Sequence, residues 1–381
     1  MIGEMSCISL RWFKRGTSAV RSSGLSWLIP LLALTLHAYG QPTIPSDLKN
    51  RGTLSPSHEQ SIDEYIDYWY RRISTATDKE VRQAREKLTE PLRGTAAVVF
   101  RQTYSTKLTV RMRDALKAES VLVRINAMMA VRDLLDEGAV ALIQSGLADQ
   151  SPGVRFHAGR AVIHLAGLKS PDGSKRLDES NQIEILTSVA AACKKESYQP
   201  VLEEFLNALA SLTIHKAGIE FLHVINDRVN RLAAEGEPSI RAEREGLTQL
   251  FRKMVLEPGR AKRGDSARLM VVVAFRYMCF SARHVVPINM PGAKEDDHRQ
   301  MVLLCDKILH HGCSRWLAPK IKEGVTTPAG VDGNTTKQDL LLRCAEWQTL
   351  LGKQLDFKAN ELEIPRHDKP GQSGPMDQRG D

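Results

Sequence analysis

The densest cluster of ligand-type side chains in this 381-residue chain is Cys305-Asp306-Lys307-Ile308-Leu309-His310-His311-Gly312-Cys313. Thiolates and imidazoles suit zinc or copper, and on a helix residues 306 and 310 share a face. A metal reading would take Cys305, His310, His311 and Cys313 as ligands. A plainer reading fits the same letters. Cys305 and Cys313 stand eight residues apart, about two helical turns, so with Leu309 they continue one apolar stripe. Gly312 reads as a helix end, where His310 and His311 would interact favourably with the dipole. The structural reading is the preferred one. The usual catalytic signatures are missing from the sequence: HExxH, a GxGxxG opening a helix, a P-loop, a GxSxG elbow, CxxC and CxxCH. Their absence weighs against the common catalytic classes, so the chain is read as non-enzymatic and no cofactor is expected.

A second set of polar residues is spaced for contact rather than catalysis. His157 and His164 lie two turns apart on one helix beside Arg160. They read either as a ligand-facing stripe or as ordinary solvated positions. Tyr65, Tyr68, Trp69 and Tyr70 read as an aromatic cap on the first repeat's core, with partner or sugar binding as the alternative. Asn334-Thr335-Thr336 fits a glycosylation acceptor.

The elements that must position these groups repeat. Val123-Arg124-Ile-Asn126-Ala127-Met-Met-Ala130-Val131-Arg-Asp-Leu134 is followed 31 residues later by Val154-Arg155-Phe-His157-Ala158-Gly-Arg160-Ala161-Val162-Ile-His164-Leu165. Self-similarity at such a period marks stacked helical hairpins. In the better copy an outer helix carries Val140, Leu142, Ile143 and Leu147. The turn Asp149-Gln-Ser151-Pro152-Gly153 follows, with Pro152 at the first helical position, where a missing N–H costs nothing. Ala158, Ala161, Val162 and Leu165 then form the inner helix's apolar seam.

The pattern Asp149…Pro152-x-Val154-Arg155-x-x-Ala158-x-x-Ala161-Val162-x-x-Leu165 resembles the inner-helix motif of HEAT repeats, the armadillo-like α-solenoid family. The resemblance implies that Asp149 and Arg155 help link successive repeats. The copy at 106–135 keeps Val123, Arg124, Ala127, Ala130 and Leu134 but has Ala118 at the Asp position. A third copy, with helices at 183–193 and 201–212, has Leu202 in place of Arg and Phe205 at the small-residue position. The fold expected is an all-α, right-handed α-solenoid of HEAT-like repeats with irregular C-terminal helices. Inner helices of a solenoid line its concave surface, so Arg124, Asn126, Arg155, His157, Arg160 and His164 are the candidate partner-binding residues. Arg124 and Arg155 are alternatively spent on the ladder between repeats.

The N-terminus has another character. Arg11, Lys14, Arg15 and Arg21 precede the apolar run Trp27–Leu36 and then Ala38-Tyr39-Gly40, which reads as a signal peptide over 1–40, an uncleaved anchor being the alternative. Residues 41–56 read as a linker, 57–256 as the repeat domain, 257–265 as a second linker, 266–360 as a C-terminal helical region and 361–381 as a disordered tail. The whole chain has 53 basic and 45 acidic residues. With four basic and one acidic in the first forty, about +5 is left on the rest. That is a weak field for nucleic acid. Arg260-Ala-Lys262-Arg263 reads as a solvated linker. Beyond residue 40 stand Cys193, Cys279, Cys305, Cys313 and Cys344, an odd number that implies no disulfide framework. The functional expectation is an exported, periplasmic or extracellular, non-enzymatic protein-binding scaffold. The alternative is a metal-binding accessory protein or enzyme with its site in the C-terminal helices.

Overall fold

A computed structural model describes residues 41–75, 78–134, 138–167, 177–235, 239–256, 264–293, 295–317, 332 and 334–364. The expected signal peptide, the Arg260–Arg263 patch and the tail from 365 lie outside the described residues. Contacts divide the chain into residues 1–43 and residues 44–381, and every element below belongs to the second unit. Among the described residues there are helices and no strand.

The helices are α1 (Ser46–Lys49), α2 (Pro56–Thr75), α3 (Asp78–Thr89), α4 (Val98–Ala115), α5 (Val121–Val131), α6 (Gly138–Leu147), α7 (Pro152–Gly167), α8 (Glu179–Lys195), α9 (Gln199–Ser211), α10 (His215–Glu235), α11 (Arg241–Leu256), α12 (Gly264–His284), α13 (Asp297–His311), α14 (Lys337–Gln354) and α15 (Ala359–Leu362). They build two layers. In the first, α2, α4, α6, α8, α10, α12 and α14 each pack on the next; in the second, α3, α5, α7, α9, α11 and α13 do the same. This alternation makes the fold a linear stack of helical hairpins. It passes the degenerate third copy and residue 256 without a change of pattern, since α12 rests on α10 and α13 on α11.

Small residues set the spacing. Ala127, Ala130, Ala158 and Ala161 are fully enclosed, so neighbouring second-layer helices approach closely. The bulky Phe205 of α9 is accommodated from across the interface, because a Cβ on Gly159 of α7 would stand 3.1 Å from the Phe205 ring. The same device recurs one layer on, where a Cβ on Gly246 would stand 2.9 Å from Leu206 Cβ.

Two local expectations change. The first long helix begins at Pro56, inside the expected linker, and the Ser55 hydroxyl accepts from the His58 N–H. Within the expected linker 41–56, Ser46–Lys49 forms a helical turn whose Leu48 is buried. α13 ends at His311 with Gly312 as its C-cap, as expected, and the chain continues into a π-helical turn, Gly312–Trp316, where a Cβ on Gly312 would stand 2.7 Å from Val271 of α12. The aromatic stripe is core: Tyr65 and Trp69 are buried, the Tyr65 hydroxyl donates to Lys87 O, and Arg72 lies 3.8 Å above the Tyr68 ring.

Candidate partner-binding face

At two successive steps of the second layer, the turn before one helix meets the fourth residue of the previous helix in that layer. Arg124, fourth in α5, grips the carboxylate of Asp149 with two N–H groups at 2.8 and 3.2 Å, and its remaining Nη1 donates to Ala118 O and Glu119 O. Arg155, fourth in α7, repeats the arrangement on Glu196 at 2.7 and 3.1 Å and clamps Asp149 O and Gln150 O. Paired, charge-assisted contacts of this kind fix orientation as well as attraction. Each acid also orders its own turn, Asp149 accepting from Ser151 N and Glu196 from Tyr198 N.

The two departures from the repeat pattern explain each other. Ala118 has no carboxylate to offer, and α3, the preceding helix of the second layer, presents Val81 rather than Arg as its fourth residue. Leu202 replaces the next arginine, and Gln199 bridges instead, donating to Ser239 O and accepting from Ala242 N. The ladder resumes at Arg244, fourth in α11, whose Nη1 lies 2.9 Å from Asp297 of α13.

Six candidate residues therefore separate into two groups. Arg124 and Arg155 are consumed by the ladder. Asn126 is buried, accepts from Arg85 at 2.9 Å and donates to Leu122 O. The remaining three lie together on α7. Arg160 and His164 are exposed and His157 is half-buried. Burial, followed by the positive charges of Arg160, Arg132 and Arg85, pushes the His157 imidazole down to about 4, so it is neutral near pH 7. Arg85 of α3 and Arg132, just past α5, carry no repeat signal in the sequence, yet they complete this surface. Arg160 makes no ion pair among the described residues; its guanidinium lies 5.9 Å from the Phe156 ring. On the next helix burial raises the Glu204 carboxyl, with the Arg160 charge opposing it.

The Cys305–Cys313 segment does not converge. Cys305 and Cys313 face the core, and burial pushes their thiols up, that of Cys313 to about 12. His310 is exposed, and His311 packs edge-on against Phe251 and Trp316. Asp306 is occupied by Arg343 Nε at 3.0 Å and Trp347 Nε1 at 2.8 Å. Among the described residues no group of three His, Cys, Asp or Glu side chains is arranged to hold a metal. The five cysteines after residue 40 are free thiols.

Fold and face together define an all-α helical-repeat protein with a polar second-layer surface. No protein-family model matches the chain, and no curated protein does. Two solved structures are similar in outline. One is an engineered protein, 10% identical, with a TM-score of 0.38 over 78% of this chain and 71% of that one. The other is Kap121p bound to Ste12p, 14% identical, with a TM-score of 0.40 over 68% of this chain. The match spans 28% of that second chain. Likenesses at this level carry no functional argument.

Proposed function

We propose that the chain is an exported, non-enzymatic scaffold of HEAT-type repeats that binds a protein partner through the exposed face of its second-layer helices. The observation that carries this reading is Arg160 on α7, an exposed guanidinium with no ion pair among the described residues, on the layer where Arg124, Arg155 and Asn126 are all consumed. Because each hairpin rests on its neighbours, such a face is extended, which suits recognition of another chain. Asp149 and Arg155 support the HEAT reading, since each joins its repeat to a neighbour. Export is supported by the basic residues 11–21, the apolar run 27–36 and the small residues at 38 and 40. No helix among the described residues is long and apolar enough to cross a membrane. The expected location is a bacterial envelope, in the periplasm or outside the cell.

A photo-crosslinking residue placed at His164, and separately at the exposed first-layer Thr187, tests the face in envelope extract. One protein captured from position 164 and not from 187 is the expected result. Equal capture at both, or at neither, overturns the assignment. Sequencing the mature N-terminus tests export, with a start at Gln41 expected.

A further inference from the structure

We infer that the second-layer face of α3, α5 and α7 docks a short acidic segment of a partner protein, with Arg132 and Arg160 as the cations that meet its carboxylates. This rests on the reading that the second layer binds protein.

Among the ion pairs of this face the balance is one-sided. Arg82 and Arg85 share Glu86, Arg93 and Arg132 share Asp133, and Arg160 has no carboxylate at ion-pair distance. Four guanidiniums thus share two ion-paired carboxylates, and Arg160, the fifth, has only Glu204 of α9 acting on it from beyond ion-pair distance. Arg132 is held loosely, at 3.3 Å from Asp133 with a third of its side chain exposed, while Asp133 is also taken by Arg93 at 3.1 Å. Arg85 is positioned from behind by Asn126 and Met129. Three successive helices therefore aim positive charge at one half-buried imidazole, and the same three charges act on it together.

The sign changes at the next helix. On α9 the face presents Glu203 and Glu204, and Glu204 feels the charge of Arg160. An acidic ligand is attracted over α3 to α7 and repelled beyond, so the segment is short. Glu86, Asp133, Glu203 and Glu204 rim the patch. A long phosphate backbone would run into them; a short carboxylate-bearing peptide can end before them. Charge complementarity of this kind governs encounter and specificity more than raw affinity.

The test uses the full chain and a fluorescent hexaglutamate peptide. Saturable binding is expected, weakening about tenfold or more as salt rises from about 50 to about 300 mM. The Arg132→Glu/Arg160→Glu pair should weaken it about tenfold or more with thermal unfolding little changed, because both side chains reach solvent. Arg160→Lys should keep affinity within about threefold, since an exposed contact depends on charge more than on geometry. Saturating peptide should also raise the His157 titration midpoint. The inference fails if binding is not saturable at millimolar peptide, if hexalysine binds equally, or if charge reversal changes nothing. Tighter binding of a single-stranded oligonucleotide of equal charge also overturns it. If hexaglutamate fails while a crosslinker at position 164 still captures a protein, this inference falls and the proposed function stands.

Discussion

Two parts of one helical stack hold arginine in different ways. From α4 to α9, Arg124 and Arg155 stand at the fourth position of their helices, partly wet, and join a carboxylate in the following turn. From α10 onward, beside the ladder contact of Arg244, four arginines go inside. Arg228 meets Glu243 at 2.6 Å with both side chains enclosed, and Arg299 is fully buried against Ala293 O, Val286 O and Thr335 O. Arg276 reaches Asn226 and Glu361 O, and Arg343 reaches Asp306. The first scheme repeats because it needs one residue and one turn per hairpin. The second depends on partners from distant segments and so specifies single places in the fold. The difference teaches that stacking order can persist while its polar fastenings change.

The contrast is sharpest at Glu243. Glu243→Ala leaves the Arg228 guanidinium buried with Glu196 O as its remaining partner, and the expected loss is about 3 to 5 kcal/mol in denaturant unfolding. Replacing both residues by Met and Leu should come out near neutral, because the desolvation of both charges is recovered. A loss below about 1 kcal/mol for the single change would show that the two regions do not differ in kind.

Arg155→Ala comes next. It removes a two-point contact to Glu196, a side chain 4% exposed, together with two carbonyl clamps, and about 2 to 3 kcal/mol should be lost. Arg124→Ala should cost less, about 1 to 2 kcal/mol, because both Arg124 and Asp149 keep some access to water. Asp149 serves both steps, its carboxylate taking Arg124 and its carbonyl taking Arg155. A double-mutant cycle should therefore show coupling of about 0.5 kcal/mol or more. Strict additivity would mean two separate bridges rather than a ladder.

Packing across the same steps predicts a smaller effect. Gly159→Ala places a methyl 3.1 Å from the Phe205 ring and 3.2 Å from Glu204 Cβ, and overpacking should cost about 1 to 2 kcal/mol. Adding Phe205→Leu should recover part of the loss if the glycine exists to admit that ring. No recovery would locate the strain elsewhere.

What the sequence disclosed follows the same division. The Asp149–Arg155 pattern was legible because turn and helix lie six residues apart and the helix part, from Val123-Arg124, recurs at 31. Arg244 obeys the same positional rule but was hidden, since Glu243 and Leu247 stand where the recognisable copy has Val154 and Ala158. The helical character of 57–256 and of 266–360 could be read from apolar periodicity, which burial of one face enforces. Arg85 and Arg132 could not be read as members of the α7 surface, because side chains from three helices meet there through stacking geometry. The Cys305–His311 letters were legible as a stripe and a helix end; the widened turn at Gly312 required knowing that Val271 lies against it.

The smallest predicted effect bears on the exposed face alone. His157 titrates near 4 in the folded chain, against about 6.5 when unfolded. Between these values the unfolded chain binds the extra proton, so stability falls as pH drops from about 6.5 toward 4 and levels off below. The groups responsible are Arg160 on the same helix and Arg132 and Arg85 from the two helices before it, with burial the larger cause. Because the ring is partly solvated, the loss across this window should be about 1 kcal/mol, well short of the full shift. His157→Asn should flatten that part of the pH profile and leave the contributions of Arg155 and Glu243 unchanged. Arg160→Gln should reduce the slope without abolishing it, since burial remains. A slope insensitive to both changes would mean that the three guanidiniums do not act on one imidazole, and the basic face of α3, α5 and α7 would lose its centre.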